Sequence, residues 1–142
     1  MLCEILFAVS QVMLLASLAF AGVWGRAAER YAALAIGLTW LGALFGQTLT
    51  GEQIPIGSIM LADWILALAL LALAFRFRNT WLGFALILQG ASMTLHAIYF
   101  QEPGKHPSFY LMGINGLSIA MLTLLVFATI LAMRSRRAVA AA

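Results

Sequence analysis

The sequence predicts an all-α fold, a polytopic membrane protein built as a bundle of five transmembrane helices, and three observations predict it. The 142 residues are 64% hydrophobic and only 9% charged, whereas a soluble domain carries about a quarter charged residues. The apolar residues gather into five stretches, each long enough, at about 1.5 Å per helical residue, to cross a hydrocarbon core of about 30 Å. The basic residues collect in alternate breaks between those stretches, the pattern that sets orientation in a membrane. Because hydrocarbon offers no partner to a free backbone N–H or C=O, each crossing is expected to satisfy its own as a helix.

The first segment covers about 2–25. Ala19 and Ala21 mimic a small-residue cleavage site, but the start carries Glu4 instead of a basic region, so it reads as a retained helix and not as a signal peptide. A polar break at 26–30 leads into the second segment, 31–49, which a turn-rich stretch with Gly51, Glu52, Pro55 and Gly57 terminates. The third, 58–75, stops at Arg76, Arg78 and Asn79, since guanidinium groups are costly to carry into lipid. The fourth covers 81–100. In the next loop Pro103 and Gly104 suit the central positions of a type II turn. The fifth covers 108–133 and hands over to a basic, alanine-rich tail, 134–142, expected to fray. Residues 1–133 thus form a single membrane domain. Trp40-Leu41-Gly42 recurs as Trp81-Leu82-Gly83, but at different depths, and no duplication follows.

Arg26, Arg30, Arg76, Arg78, Arg134, Arg136 and Arg137 fall on one side, and Lys105 with Glu4, Glu52 and Glu102 on the other. This places the N-terminus outside and the C-terminus in the cytoplasm, as for a bacterial inner-membrane protein. The net charge of +3 is therefore a topology signal and implies no nucleic acid partner. The single cysteine, Cys3, excludes an internal disulfide and any cysteine-based metal motif. Trp24, Trp64, Trp81, Tyr31, Tyr99 and Tyr110 lie near segment ends, where amphipathic rings sit at headgroup level.

Function is sought first in the fourth segment. Gln89, Ser92, His96 and Tyr99 follow offsets that share one helical face, and lipid cannot hydrogen-bond them, so that face is expected to turn toward protein. Asp63 and His96 lie at matching depth, roughly 5–10 Å inside the outer boundary at 1.5 Å per residue, which allows them to meet. An intramembrane carboxylate is a functional candidate by default. Gln47 and Asn115 complete an outer polar layer. Gly42 and Gly46 form a G-x-x-x-G pair, Gly116 with Ala120 a looser one, and Gly90 lies beside Gln89; small residues of this kind let helices pack closely.

No phosphate-binding loop, H-E-x-x-H pair or G-x-S-x-G elbow is present. Ser92 and His96 share a face, but no oxyanion site accompanies them. Haem would need a second axial ligand beside His96, which only Met93 or Met112 supplies, and His96, Glu102 and His106 match no metal-site spacing. The first expectation is a non-catalytic subunit in the lipid bilayer, packing within a larger membrane-protein complex or a homo-oligomer, with no cofactor. The second is a small proton-coupled transporter or channel using the polar layer around Asp63 and His96. The third is a quinone-, haem- or pigment-binding redox helper around His96, Trp64 and Tyr99.

Overall fold

The computed structural model describes residues 2–50, 56–101 and 107–140. The described residues are all helical apart from two short turns: α1 (Leu2–Trp24), α2 (Ala27–Thr50), α3 (Ile56–Phe77), α4 (Thr80–Gln101) and α5 (Pro107–Ala140). Helices α1, α3, α4 and α5 are long and apolar enough to cross a membrane. Helix α2 matches them in length at 24 residues but carries Glu29 in its first turn.

Each helix packs against its neighbour in the chain, and α5 returns to pack against α1. The five therefore close into a ring, with a lesser contact between α2 and α5 across it. The termini alternate. The end of α4 meets the start of α5 at the Tyr99–Tyr110 stack, whereas Arg136 near the end of α5 donates to the Gly25 carbonyl between α1 and α2. All seven arginines fall at or near this second end of the bundle, termed the arginine end.

Two turns at the arginine end have clear local causes. Gly25 closes α1 by donating its N–H to the Ala21 carbonyl at 2.9 Å; a Cβ at Gly25 would collide with that carbonyl and with the Glu29 side chain. Glu29 reaches back one turn to accept the Arg26 N–H at 2.9 Å, half of a capping box. Helix α2 consequently begins at Ala27, inside the break expected from its charges. Between α3 and α4, Arg78 takes φ 51° and donates its N–H to the Ala74 carbonyl, a left-handed helix end usually given to glycine. The Asn79 carbonyl then accepts the Leu82 N–H and starts α4.

The ring is unevenly filled. Toward the arginine end Ala21, Ala28, Ala32 and Ala85 are buried among Leu70, Leu82 and Leu125, so short side chains bring the helices close. The outer face is lined with exposed Leu, Ile and Phe on every helix, as suits a hydrocarbon surround. Residues 134–140, expected to fray, continue α5 as helix. No glycine or proline interrupts them, arginines complement the negative end of the helix dipole, and Arg136 is tied to Gly25.

Candidate functional site

In the half of the bundle away from the arginines the ring opens around a cavity of about 250 Å³. All five helices line it: α1 brings Ser10 and Gln11, α2 Thr39 and Trp40, α3 Asp63, α4 Gln89 and Ser92, and α5 Asn115 and Ser118, among aliphatic side chains. The polar groups at these positions would be stranded in lipid, and the ring turns them inward.

The face expected on α4 is the face that turns inward. Gln89, His96 and Tyr99 are buried, whereas Phe84, Ile87 and Ile98 on the other side are exposed. Gln89 satisfies its amide by donating to the Asp63 backbone carbonyl at 3.1 Å. His96 is fully enclosed, at 0% exposure. Its Nε2 lies 2.7 Å from Oδ2 of Asp63, and its Nδ1 lies 2.8 Å from the Tyr110 hydroxyl. Tyr110 is in turn stacked on Tyr99 with ring centroids 4.2 Å apart. Three helices thus contribute one chain of contacts, Tyr110 to His96 to Asp63, and only its last member reaches the cavity: the Asp63 side chain keeps 22% of its surface exposed.

Against an ionised Asp63, Nε2 carries the proton, because a carboxylate only accepts. The contact between Nδ1 and the Tyr110 hydroxyl runs in either direction, the phenol donating to a neutral imidazole and accepting from a protonated one. Elsewhere in the cavity Ser10 donates to its own helix at the Phe7 carbonyl and stands 3.5 Å from the Asn115 amide oxygen. Thr39 is turned back onto the α2 backbone.

Of the residues singled out from sequence, Asp63, Gln89, Ser92 and Asn115 converge on the cavity, with His96 directly behind Asp63 and Tyr99 one ring further out. The side chain of Gln47, and Glu52, Glu102 and His106, lie outside the described residues. Gly46 serves close packing against Ser58 of α3, whereas a Cβ at Gly42, Gly90 or Gly116 would meet nothing within 4 Å among the described residues. Three aromatic residues expected at headgroup level are turned inward. Tyr110 and Tyr99 are buried in the contact chain, and the Trp81 indole N–H donates to Oε1 of Glu29 at 3.1 Å. Trp24, Trp64 and Tyr31 are exposed as an interfacial belt requires.

No known family model matches this chain, and neither does any curated protein or solved structure. Both nitrogens of His96 are engaged within the protein, so axial ligation of haem would require breaking one of these contacts. Trp64 lies on the outer face while Tyr99 is buried, so the ring cluster expected for quinone or pigment does not assemble. Among the described residues no three His, Cys, Asp or Glu side chains are grouped for a metal ion.

Proposed function

We propose that this protein is a small proton-coupled carrier of the cytoplasmic membrane that binds its solute in the central cavity, with Asp63 as the coupling group. The observation that carries the reading is the convergence of all five helices on one polar-lined space, entered by one carboxylate backed by an imidazole and a phenol. Ionisable side chains inside a membrane bundle are costly, and those that face an interior cavity mark substrate and proton pathways. In this reading α2 is a fifth span, the N-terminus lies outside and the arginine end faces the cytoplasm, which agrees with the positive-inside rule. The cavity then sits in the outer half of the bilayer. Protonation of Asp63 discharges it, and His96 and Tyr110 are placed to relay the proton between the carboxylate and the outer end of α5.

Proteoliposomes loaded with a pH-sensitive dye test this. Small amines, carboxylates, alcohols and sugars are added one class at a time, and internal pH is followed. At least one class should drive proton movement that is absent from empty vesicles and lost in Asp63→Asn. Silence across every class, or full activity of Asp63→Asn, would overturn the assignment.

A subunit role draws on a separate observation. A Cβ added at Gly42, Gly90 or Gly116 would meet no neighbouring helix among the described residues, leaving room for a helix of another chain or copy. Native mass spectrometry in mild amphiphiles tests it, and a lone monomer throughout would count against it.

A further inference from the structure

The geometry points to a small organic cation as the molecule this cavity takes, its ammonium group set against the open side of the Asp63 carboxylate and its apolar arm against Phe7, Trp40 and the aliphatic wall. The inference rests on the carrier reading above and gives that reading a ligand class.

Charge is the first argument. Among the described lining residues Asp63 is the one ionisable side chain; no lysine, arginine or histidine borders the space from α1, α2 or α5. An anionic solute would meet repulsion with nothing to offset it. The second argument is geometric: His96 holds Asp63 through Oδ2 alone, and the side chain keeps 22% of its surface exposed, so the contact chain fixes the carboxylate in place and leaves part of it to meet a ligand. A neutral apolar solute would strip water from that anion and return nothing, whereas a cation compensates it.

The wall is the third argument. Phe7 and Trp40 border the space from two adjacent helices, and aromatic side chains attract ammonium ions. Leu14, Ile36, Leu66 and Met121 surround them with aliphatic surface, fit for a short hydrocarbon or aryl arm. The volume of about 250 Å³ lies just under the usual range for small-molecule pockets, which limits the arm to about one ring.

The experiment uses the full chain in nanodiscs of zwitterionic phosphatidylcholine, with empty nanodiscs as the partition control. Binding of benzyltrimethylammonium, of its uncharged carbon isostere neopentylbenzene and of phenylacetate is measured by equilibrium dialysis. The cation should bind saturably and at least about tenfold more tightly than either other probe, and Asp63→Asn should weaken it at least about tenfold. Ala43→Phe, which fills the cavity and keeps Asp63, should abolish binding, with thermal unfolding showing that both variants are folded. Should Asp63→Asn fail to fold, the three probes and Ala43→Phe decide alone. Equal or tighter binding of the isostere or of phenylacetate, or cation binding that survives Ala43→Phe, overturns the inference. Where those other probes bind and Ala43→Phe removes them, the carrier reading stands with a different ligand class. Should none of the three bind while a non-cationic solute drives proton movement in the vesicle assay, the inference alone falls. With neither binding nor proton movement, both fall.

Discussion

Glu29 and Asp63 are both acidic side chains held within the ring, one toward each end, and they are enclosed to different purposes. Glu29 is 3% exposed and both of its oxygens accept hydrogen bonds from this chain, one from the Arg26 backbone and one from the Trp81 indole. Asp63 has Oδ2 against His96 and the rest of its carboxyl group toward open space. The first carboxylate caps α2 and ties it to α4, and its burial leaves no face for anything outside the chain. The second is positioned as firmly but keeps a face for something outside the chain. Burial alone therefore does not mark a functional acid; the number of its lone pairs already committed does.

The largest expected effect separates the two acids by stability. Glu29→Ala leaves the Arg26 N–H and the Trp81 indole N–H without acceptors, and should cost about 2–4 kcal/mol. Asp63→Asn keeps an oxygen that accepts from His96 and should cost about 1 kcal/mol or less. Unfolding by sodium dodecyl sulfate in mixed micelles measures both. Equal costs would dissolve the contrast drawn above.

A second pair of substitutions compares the closed and open halves. Ala32 is fully buried near the arginine end, and Ala32→Leu should overpack it at a cost of about 1–3 kcal/mol. Ala43 borders the cavity, and Ala43→Leu should change stability by no more than about 0.5 kcal/mol. Melting temperatures in one detergent suffice, and a reversed order would mean that the open half collapses in solution.

Two smaller effects sharpen the picture. Tyr110→Phe removes one hydrogen bond and should cost about 1 kcal/mol; in the dye-loaded vesicles it should slow proton movement while leaving solute binding in place. Arg78→Gly should stabilise by about 0.5 kcal/mol, since it relieves the left-handed strain but loosens the unfolded chain. Loss of stability on Arg78→Gly would show that the arginine side chain holds that turn through contacts of its own.

The ring's helices and the meeting of Asp63 with His96 are legible in the sequence because hydrocarbon leaves few places for polar groups. A carboxylate and an imidazole stranded at one depth in apolar segments must find protein, and here they find each other. Tyr110 is not legible in the same way. A tyrosine at a span's edge reads as an interfacial anchor, and nothing within α5 announces that its hydroxyl turns inward to His96. Glu29 is hidden by its neighbours: between Arg26 and Arg30 it reads as part of a solvated turn, and only the packing of α4 against α3, which delivers Trp81, encloses it. Ser10, Gln11 and Thr39 are single polar residues among apolar ones, each as compatible with a backbone contact as with a cavity. For Gly42, Gly90 and Gly116 the small residue identifies smooth helix surface without saying whose helix lies upon it.

The closure of α5 onto α1 has a consequence for biosynthesis. The ribosome delivers α3 and α4 to the membrane before α5 exists, so Asp63, Gln89 and His96 arrive while the wall that will carry Tyr110 and Asn115 is still being made. Through that interval the α4 stripe lacks its cover, and the nascent chain depends on water, on the insertion machinery or on a transient neighbour to shelter it. Helix α5 seals the interior and, through Arg136 at Gly25, is fastened to the turn between α1 and α2. A protein truncated ahead of Pro107 would carry most of its polar side chains and have no inside in which to keep them.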